Sequence, residues 1–401
     1  MIRKKLSLIL AASLFAASLA GCGGTNEASK EATGVAESAG TAEDIADSSE
    51  NDVSKDGSDE ETVTVTDHDG NTVVIPKEVN RVAVAGILPF PSVIAMYLGS
   101  AEKIVGMPPA SMSAAEIGLL GEIFPEILEA DTGFTNGSDL NVEELLTLEP
   151  DVVFYLAGND EWRTAMESAG IPCLAVSTSK WNYDVLETYD QWIDLLSRVF
   201  PEESKSSEVS AYSKEIYDMI NERTGTLSED EKKDILFLYQ YDDNQIVTSG
   251  KNFFGQFWAE AVGGRNAAEE IAADNSNAVI NMEQIYTWDP DVVFITNFTA
   301  AMPDDLYNNA LGNDWSSVKA VKDKAVYKMP LGSYRSYTPG TDTPVTLLWL
   351  AQKTYPELFS DIDLNKEVKD YYRDIYGIEL TDEQVERMYN PEAHAAEGTQ
   401  K

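Results

Sequence analysis

The sequence predicts an α/β protein of two Rossmann-like lobes with mostly parallel sheets, bridged by a single long α-helix. Three observations carry that prediction. One unit occurs twice, at 141–154 (NVEELLTLEPDVVF) and 281–294 (NMEQIYTWDPDVVF), with eight of 14 positions identical at a spacing of 140. Duplication of this kind implies two lobes of one design. Short, continuous apolar runs alternate with helical patterns, as strands of a parallel sheet buried between helices do. Between the halves, residues 203–223 lack strand character, and Val209, Tyr212, Ile216, Met219 and Ile220 recur at helical spacing.

From the N-terminus, Arg3, Lys4 and Lys5 precede an apolar run of 15 residues, Leu6 to Ala20. The run is shorter than the roughly 20 residues a membrane-spanning helix needs and fits the core of a secretory signal. Leu19-Ala20-Gly21-Cys22 closes it as a bacterial lipobox, so residues 1–22 are expected to be a signal peptide with Cys22 as the lipidated residue. Residues 23–61 hold 12 acidic side chains against Lys30 and Lys55, and no aromatic ring. Such a segment buries too little apolar surface to offset its ordering entropy and is expected to be a disordered acidic tether. A chain of that length spans about 30–40 Å on average.

The remaining chain divides into an N-terminal lobe (62–202), the bridging helix (203–228), a C-terminal lobe (229–389) and a flexible tail (390–401). Thr62–Thr66 and Thr72–Pro76 flank Asp69-Gly70, a hairpin turn signal. Arg81–Ala85, Lys103–Met107 and 171–176 read as strands of the first lobe, and 162–170 as a helix. In each repeat an Asn (Asn141, Asn281) caps a short helix, with Glu144 or Gln284 completing a capping box. Pro150 or Pro290 ends the helix, and an apolar strand follows. In the second lobe Asp234–Tyr241 and Lys324–Met329 are strands and Asn252–Val262 a helix. Val368–Tyr376 and Asp382–Tyr389 are helical by pattern. Cys173, left alone once Cys22 is modified, reads as a small buried strand residue.

The net charge of −40 argues against nucleic-acid binding and against adsorption to anionic lipid, leaving the lipid anchor as the only membrane attachment. It suits a soluble extracellular body with a basic partner. No Ser elbow, phosphate-binding loop or dinucleotide fingerprint occurs, so the chain does not read as an enzyme.

The chain resembles the ABC-importer solute-binding proteins for ferric siderophores, haem and cobalamin. The resemblance runs over about residues 62–388. It is carried by VTVTDHDGNTVVIPKEVNRVAVAG at 63–86, both repeats, Gly250-Lys251 with FFGQFWAEAVGGRN at 253–266, TPVTLLWLAQKTYPELF at 343–359 and YGIELTDEQVERM at 376–388. It implies two lobes joined by one helix, with the ligand held between them. The one-helix connection is expected to permit only modest closure. It also implies that Glu143 and Glu283, the second helical residues of the repeats, bind arginines on the two halves of a permease dimer driven by its ATPases. Without the resemblance, an acid at that position complements the helix dipole.

In doubly wound sheets ligands sit beyond the carboxyl ends of the strands. The loops there nominate Arg335, Trp181, Tyr334, Tyr337, Tyr183, Lys180, Phe90, Met107, Asn159, Tyr241 and Phe254 as cleft residues. Lys180-Trp181-Asn182-Tyr183 and Ser333-Tyr334-Arg335-Ser336-Tyr337 each combine a cation with aromatic rings, a set suited to a flat or ring-rich anionic ligand. The two histidines, His68 and His394, lie outside these loops, so direct metal coordination and a resident cofactor are not expected. The expected ligand is a metal already wrapped in a chelator, a ferric siderophore first, with cobalamin, haem or a nickel or cobalt chelate as alternatives. A surface adhesin on the same fold is the alternative of another class. The expected setting is a lipid-anchored monomer on the extracellular face of the cytoplasmic membrane, in a Gram-positive cell by preference.

Overall fold

The computed structural model describes residues 61–137, 139–203, 205–272 and 278–399. The expected signal peptide, the lipidation site Cys22 and the tether up to residue 60 lie outside the described residues. The described chain opens on an antiparallel hairpin of β1 (Thr62–Thr66) and β2 (Thr72–Pro76), with Thr62 opposite Pro76 and Thr66 opposite Thr72. Its turn is tied to the first lobe by two buried polar side chains. Asp67 accepts from the amides of Asn71 (2.8 Å) and Asp69 (3.0 Å) within the turn, and from Ala175 N (2.9 Å) across it. His68 Nδ1 accepts from Ser177 N (3.0 Å), which leaves Nε2 to face the Gln191 carbonyl at 3.3 Å.

The first lobe contains β3 (Val82–Ala85), α1 (Phe90–Leu98), β4 (Ile104–Gly106), α2 (Pro109–Ile117) and α3 (Leu120–Ile123). Two short antiparallel strands follow, β5 (Thr135–Asn136) with β6 (Asp139–Leu140). Then come α4 (Val142–Thr147), β7 (Val152–Leu156), α5 (Asp160–Ser168), β8 (Cys173–Val176) and α6 (Val185–Val199). Strands β4-β3-β7-β8 form one parallel sheet. Its apolar runs are continuous because both faces are covered. Val82, Val84, Phe154 and Leu174 enter one core, and Ala83, Ala85, Val153 and Tyr155 the other.

The second lobe contains β9 (Asp234–Tyr241), β10 (Ile246–Thr248), α8 (Phe254–Ala261), β11 (Arg265–Asn266), β12 (Ala278–Ile280), α9 (Met282–Trp288) and β13 (Val292–Ile295), after α7 (Ser206–Thr224) between the lobes. The chain continues through α10 (Pro303–Tyr307), α11 (Lys319–Lys322), β14 (Val326–Lys328), α12 (Thr343–Thr354), α13 (Leu364–Tyr376) and α14 (Asp382–Tyr389). Its sheet runs β12-β10-β9-β13-β14, with β11 also beside β9. β9, β11, β13 and β14 are parallel, and β10 is antiparallel to both neighbours.

The two copies of the repeat lie in separate sheets and share their local chemistry. The capping box is complete at Asn281, whose Oδ1 accepts from Gln284 N (3.1 Å) while Gln284 Oε1 accepts from Asn281 N (3.0 Å). At Asn141 the box is altered. The backbone amide is already given to the Phe134 carbonyl, so Glu144 accepts from the Asn141 side chain instead, at 3.1 Å. Both helices stop before their prolines, and Glu149 (φ 46°) and Asp289 (φ 41°) turn left-handed. The residue before a proline is disfavoured in the helical region. Asp151 then accepts from the amides of Asn80 (2.7 Å) and Arg81 (2.9 Å), and Asp291 from Asp234 N (2.9 Å). In each lobe the same carboxylate pins the start of the neighbouring strand.

Helix α7 bridges the lobes over a shorter span than the expected 203–228. Val209 near its start is buried in the first core, and Ile216 and Ile220 in the second. The chain then returns. Val368, Tyr371, Tyr372 and Tyr376 of α13, with Val385 and Met388 of α14, bury their side chains in the core that holds Val93 and Trp192 of the first lobe. Residues 390–399, expected to be flexible, are ordered. Ala393–Ala396 forms a 3-10 turn with Ala395 and Ala396 buried, and the segment is tied down by hydrogen bonds described below. Cys173 is buried in the first sheet, and burial pushes its thiol up to about 12.

Burial lowers His68 from 6.5 to about 4, against the opposing pull of the Gln191 carbonyl. The folded chain therefore binds fewer protons here than the unfolded chain. The stabilisation is complete above about pH 6.5 and is lost as pH falls toward 4, an effect of up to about 3 kcal/mol. Urea unfolding at pH 7.5 and 4.5 is expected to show this loss, and His68→Gln is expected to remove its part of the slope. An equal slope in the variant would place the acid sensitivity elsewhere.

Candidate functional site

The parallel strands direct the loops at their carboxyl ends toward the seam between the lobes. After β8, Asn182 (φ 53°) and Tyr183 (φ 59°) both adopt left-handed backbone, uncommon for any residue but glycine and unfavourable for a bulky one. This turn carries the Tyr183 ring edge-on to Phe253 and Phe254, each at 5.4 Å, at the start of α8 in the opposite lobe. The rings continue inward. Phe253 meets Tyr239 and Tyr337 at 5.8 Å, and Tyr239 stacks on Phe298 at 5.0 Å. Tyr337 is fixed at both ends: its hydroxyl accepts from Gly255 N (3.1 Å) and its carbonyl from Trp258 Nε1 (2.8 Å). A band of aromatic side chains thus crosses the seam.

Arg335 lies beside this band, fully buried, with its guanidinium centre 5.9 Å from the Phe298 ring and 5.5 Å from Tyr334. Its fork donates to three backbone carbonyls: Ala395 (2.9 Å), Ala110 (3.0 Å) and Glu397 (2.6 Å). Two acceptors belong to the C-terminal segment and one to α2 of the first lobe. Ser113 of α2 donates to the same Glu397 carbonyl (2.6 Å), and Thr399 to the Phe298 carbonyl (3.4 Å). The tail is ordered because it satisfies a buried cation and joins both lobes. Nearby, Ser336 Oγ and Asn297 Oδ1 are buried with no hydrogen-bond partner among the described residues.

The Arg335 loop is held from behind. Asp342 accepts from Ser333 N and Oγ, both at 2.8 Å, and from the Tyr372 hydroxyl. Burial raises the Asp342 pKa above the usual carboxylate value. A Cβ at Gly332 would lie 2.5 Å from the Asp342 carboxylate, so this close approach needs glycine. Lys328 clamps the neighbouring Phe298 loop by donating to the carbonyls of Thr296 (2.9 Å), Thr299 (2.5 Å) and Ala301 (2.9 Å).

Of the expected cleft residues, the structure brings together Arg335, Tyr334, Tyr337, Tyr183 and Phe254. The others go elsewhere. α1 already begins at Phe90, which turns that ring into the first core, 5.1 Å from Phe154 and 5.4 Å from Trp192. Met107 is buried in the same core. Tyr241 is carried to the far face of its sheet by a bulge in the β9–β10 pairing, where register slips at Tyr239. There its hydroxyl accepts from Trp315 Nε1 at 2.9 Å. Asn159 caps α5 by accepting from Trp162 N at 3.1 Å. Lys180 donates to the His68 carbonyl (2.6 Å), and Trp181 packs edge-on against the His68 ring (5.0 Å), so both serve the opening hairpin. Sequence reasoning missed the tail altogether, along with Ser113, its tether on α2. The tail holds the site through its backbone carbonyls, which leave no residue signature, and the Ser113 hydroxyl donates to one of them.

Glu143 and Glu283 stand apart from the seam loops. Each is exposed in the first turn of its helix, and neither side chain has a hydrogen-bond or ion-pair partner among the described residues. Each helix is followed at once by a parallel strand, so its N-terminus lies toward the carboxyl edge of the sheet. The two glutamates therefore sit toward the loop-bearing edges. Among the described residues no helix is long and apolar enough to cross a membrane, and no group of three His, Cys, Asp or Glu could hold a metal ion.

Two α/β lobes, a bridging helix and a loop-lined seam define a solute-binding protein of the kind that serves ABC importers. The chain belongs to the periplasmic binding protein family, whose model matches residues 92–331. It is similar to a periplasmic solute binding protein from Veillonella parvula, with 30% identity and a TM-score of 0.73 over 84% of this chain and 100% of that one. It is 27% identical over 333 residues to the molybdate-binding protein MolA of Haemophilus influenzae, which covers 78% of this chain and 90% of that protein. It also resembles CeuE of Helicobacter pylori, solved with Ni(II) bound, at 27% identity and a TM-score of 0.63, over 82% of this chain and 99% of that one.

Replacing Arg335 by Gln leaves at least one of its three acceptor carbonyls, of which that of Ala395 is buried, without its donor. The expected cost is about 2–4 kcal/mol of unfolding free energy. Faster amide exchange across 395–399 is expected to accompany it. Unchanged exchange in that segment would show that the tail does not depend on Arg335.

Proposed function

We propose that the chain captures a metal held in an organic chelate, a ferric siderophore foremost, and delivers it to the permease dimer of an ABC importer. In this reading it is attached to the extracellular face of the cell membrane through lipidated Cys22. It carries no energy source of its own, and the importer's ATPases drive uptake.

The observation that carries the delivery role is the repeat. Packing accounts for its identical Val, Val and Phe residues, which are buried in both lobes. Capping accounts for the asparagines, strand pinning for Asp151 and Asp291, and helix termination for the prolines. The threonines bond back to their own helices, Thr147 to the Glu144 carbonyl (2.7 Å) and Thr287 to the Glu283 carbonyl (2.8 Å). Only the glutamates remain without an internal role beyond the helix dipole. One exposed carboxylate per lobe suits a partner with two equivalent halves and a bidentate arginine on each.

The ligand reading is supported by a buried cation beside a band of aromatic rings, and by relatives named for molybdate and solved with nickel. Arg335 donates to neutral carbonyls of Ala395 and Glu397. Anionic oxygens of a chelate are stronger partners for the same fork.

A thermal-shift screen of residues 62–401 against ferric siderophores, cobalamin, haem and nickel chelates tests the ligand. Stabilisation of about 2.7 kcal/mol is expected for a true ligand at 100 times its Kd. An adhesin would respond to none. For delivery, Glu143→Ala with Glu283→Ala is expected to abolish uptake while leaving that thermal shift intact. Undiminished uptake would refute the docking role.

A further inference from the structure

We infer that Leu146 and Tyr286 are a matched pair of apolar docking knobs, one per lobe, that meet the same permease beside Glu143 and Glu283. The inference rests on the reading that those glutamates face the permease, and extends it to residues that the repeat does not keep identical.

Leu146 and Tyr286 occupy the same place in the two repeats, 140 residues apart. Both are large apolar side chains left in solvent, 44% and 42% exposed, while the preceding Leu145 and Ile285 are fully buried. The exposed large apolar side chains among the described residues are Val74, Leu128, Leu146, Val279 and Tyr286. Two of these five falling on one repeat position is what a shared surface requires. Each knob lies three residues after its glutamate, on the same side of its helix and about 4.5 Å further along the axis. Each lobe therefore presents an acid next to an apolar side chain. Tyr286 is also pre-positioned: its hydroxyl donates to the Asp314 carbonyl at 2.6 Å, which holds the ring in place. A side chain fixed before binding loses less entropy on docking.

Charge selects the occupant. The chain carries a net charge of −40, and each knob adjoins a carboxylate. A second copy would set acid against acid, and anionic lipid would be repelled. The fitting partner is basic and two-fold, with a cation flanked by an apolar surface on each half. A small desolvated centre beside a charge-assisted pair is where binding energy concentrates at interfaces.

The test uses the full-length protein and the importer's permease with its ATPases in lipid nanodiscs, with Kd read by biolayer interferometry. The double variant Leu146→Ser with Tyr286→Ser is expected to bind at least about ten-fold more weakly, with an unchanged far-UV spectrum and melting within a few degrees. Leu128→Ser, an exposed apolar residue outside the repeat, is the control and is expected to dock normally. If the double variant docks like the unaltered chain while Glu143→Ala with Glu283→Ala loses docking, the knobs are refuted and the glutamate reading stands. If the glutamate variant docks normally too, both fail. If the serine substitutions instead convert a dimer to a monomer in solution, the occupant is a second copy and the inference is overturned.

Discussion

Parallel strand pairing is the constraint on which the site depends. Because β3, β4, β7 and β8 run one way, the segments after them emerge at one edge of the first sheet. β9, β13 and β14 impose the same on the second. Parallel strands cannot be joined by tight turns and need crossover helices. Those helices bury both faces of each sheet and leave the carboxyl edges as the place where side chains can serve a ligand. The exceptions prove informative. The bulge at Tyr239 keeps that ring at the seam and turns Tyr241 to the opposite face, so one inserted residue separates a site residue from a core residue two positions away.

The seam is held by more than one helix. α7 passes from the first core to the second, α13 and α14 come back, and residues 395–397 cross once more to bind Arg335. A buried guanidinium without a carboxylate partner is costly unless its donors are satisfied. Here three carbonyls from two separate parts of the chain do so. The arrangement ties the geometry of the cation to the position of the tail, and the position of the tail to α2. Any ligand that takes the guanidinium must offer better acceptors than neutral carbonyls.

The hairpin, the capped helices, the strands of the repeat and the bridging helix were legible because each is specified locally, by turn residues, caps, prolines and periodicity. Arg335, Tyr334 and Tyr337 could be singled out because cations are scarce in so acidic a chain and one set among tyrosines stands out, and the structure places them at the seam. Phe90 and Met107 were assigned to the cleft because one follows an expected strand and the other ends one, but position at a strand's carboxyl end does not say which way a side chain points. The return of α13 and α14 to the first lobe was hidden for a related reason: an amphipathic face announces that it is buried without naming its partner. Lys180 and Trp181 have the composition of a ligand site and serve a hairpin turn more than 100 residues earlier in the chain.

The most direct measurement is anomalous scattering at the iron edge from crystals of the protein grown with a ferric siderophore. An iron peak is expected between the lobes, beside Arg335 and the rings of Tyr183, Phe254 and Tyr337, with the carbonyls of Ala395 and Glu397 moved off the guanidinium. Iron bound away from the seam, or a fully occupied ligand with the tail still seated on Arg335, would contradict it.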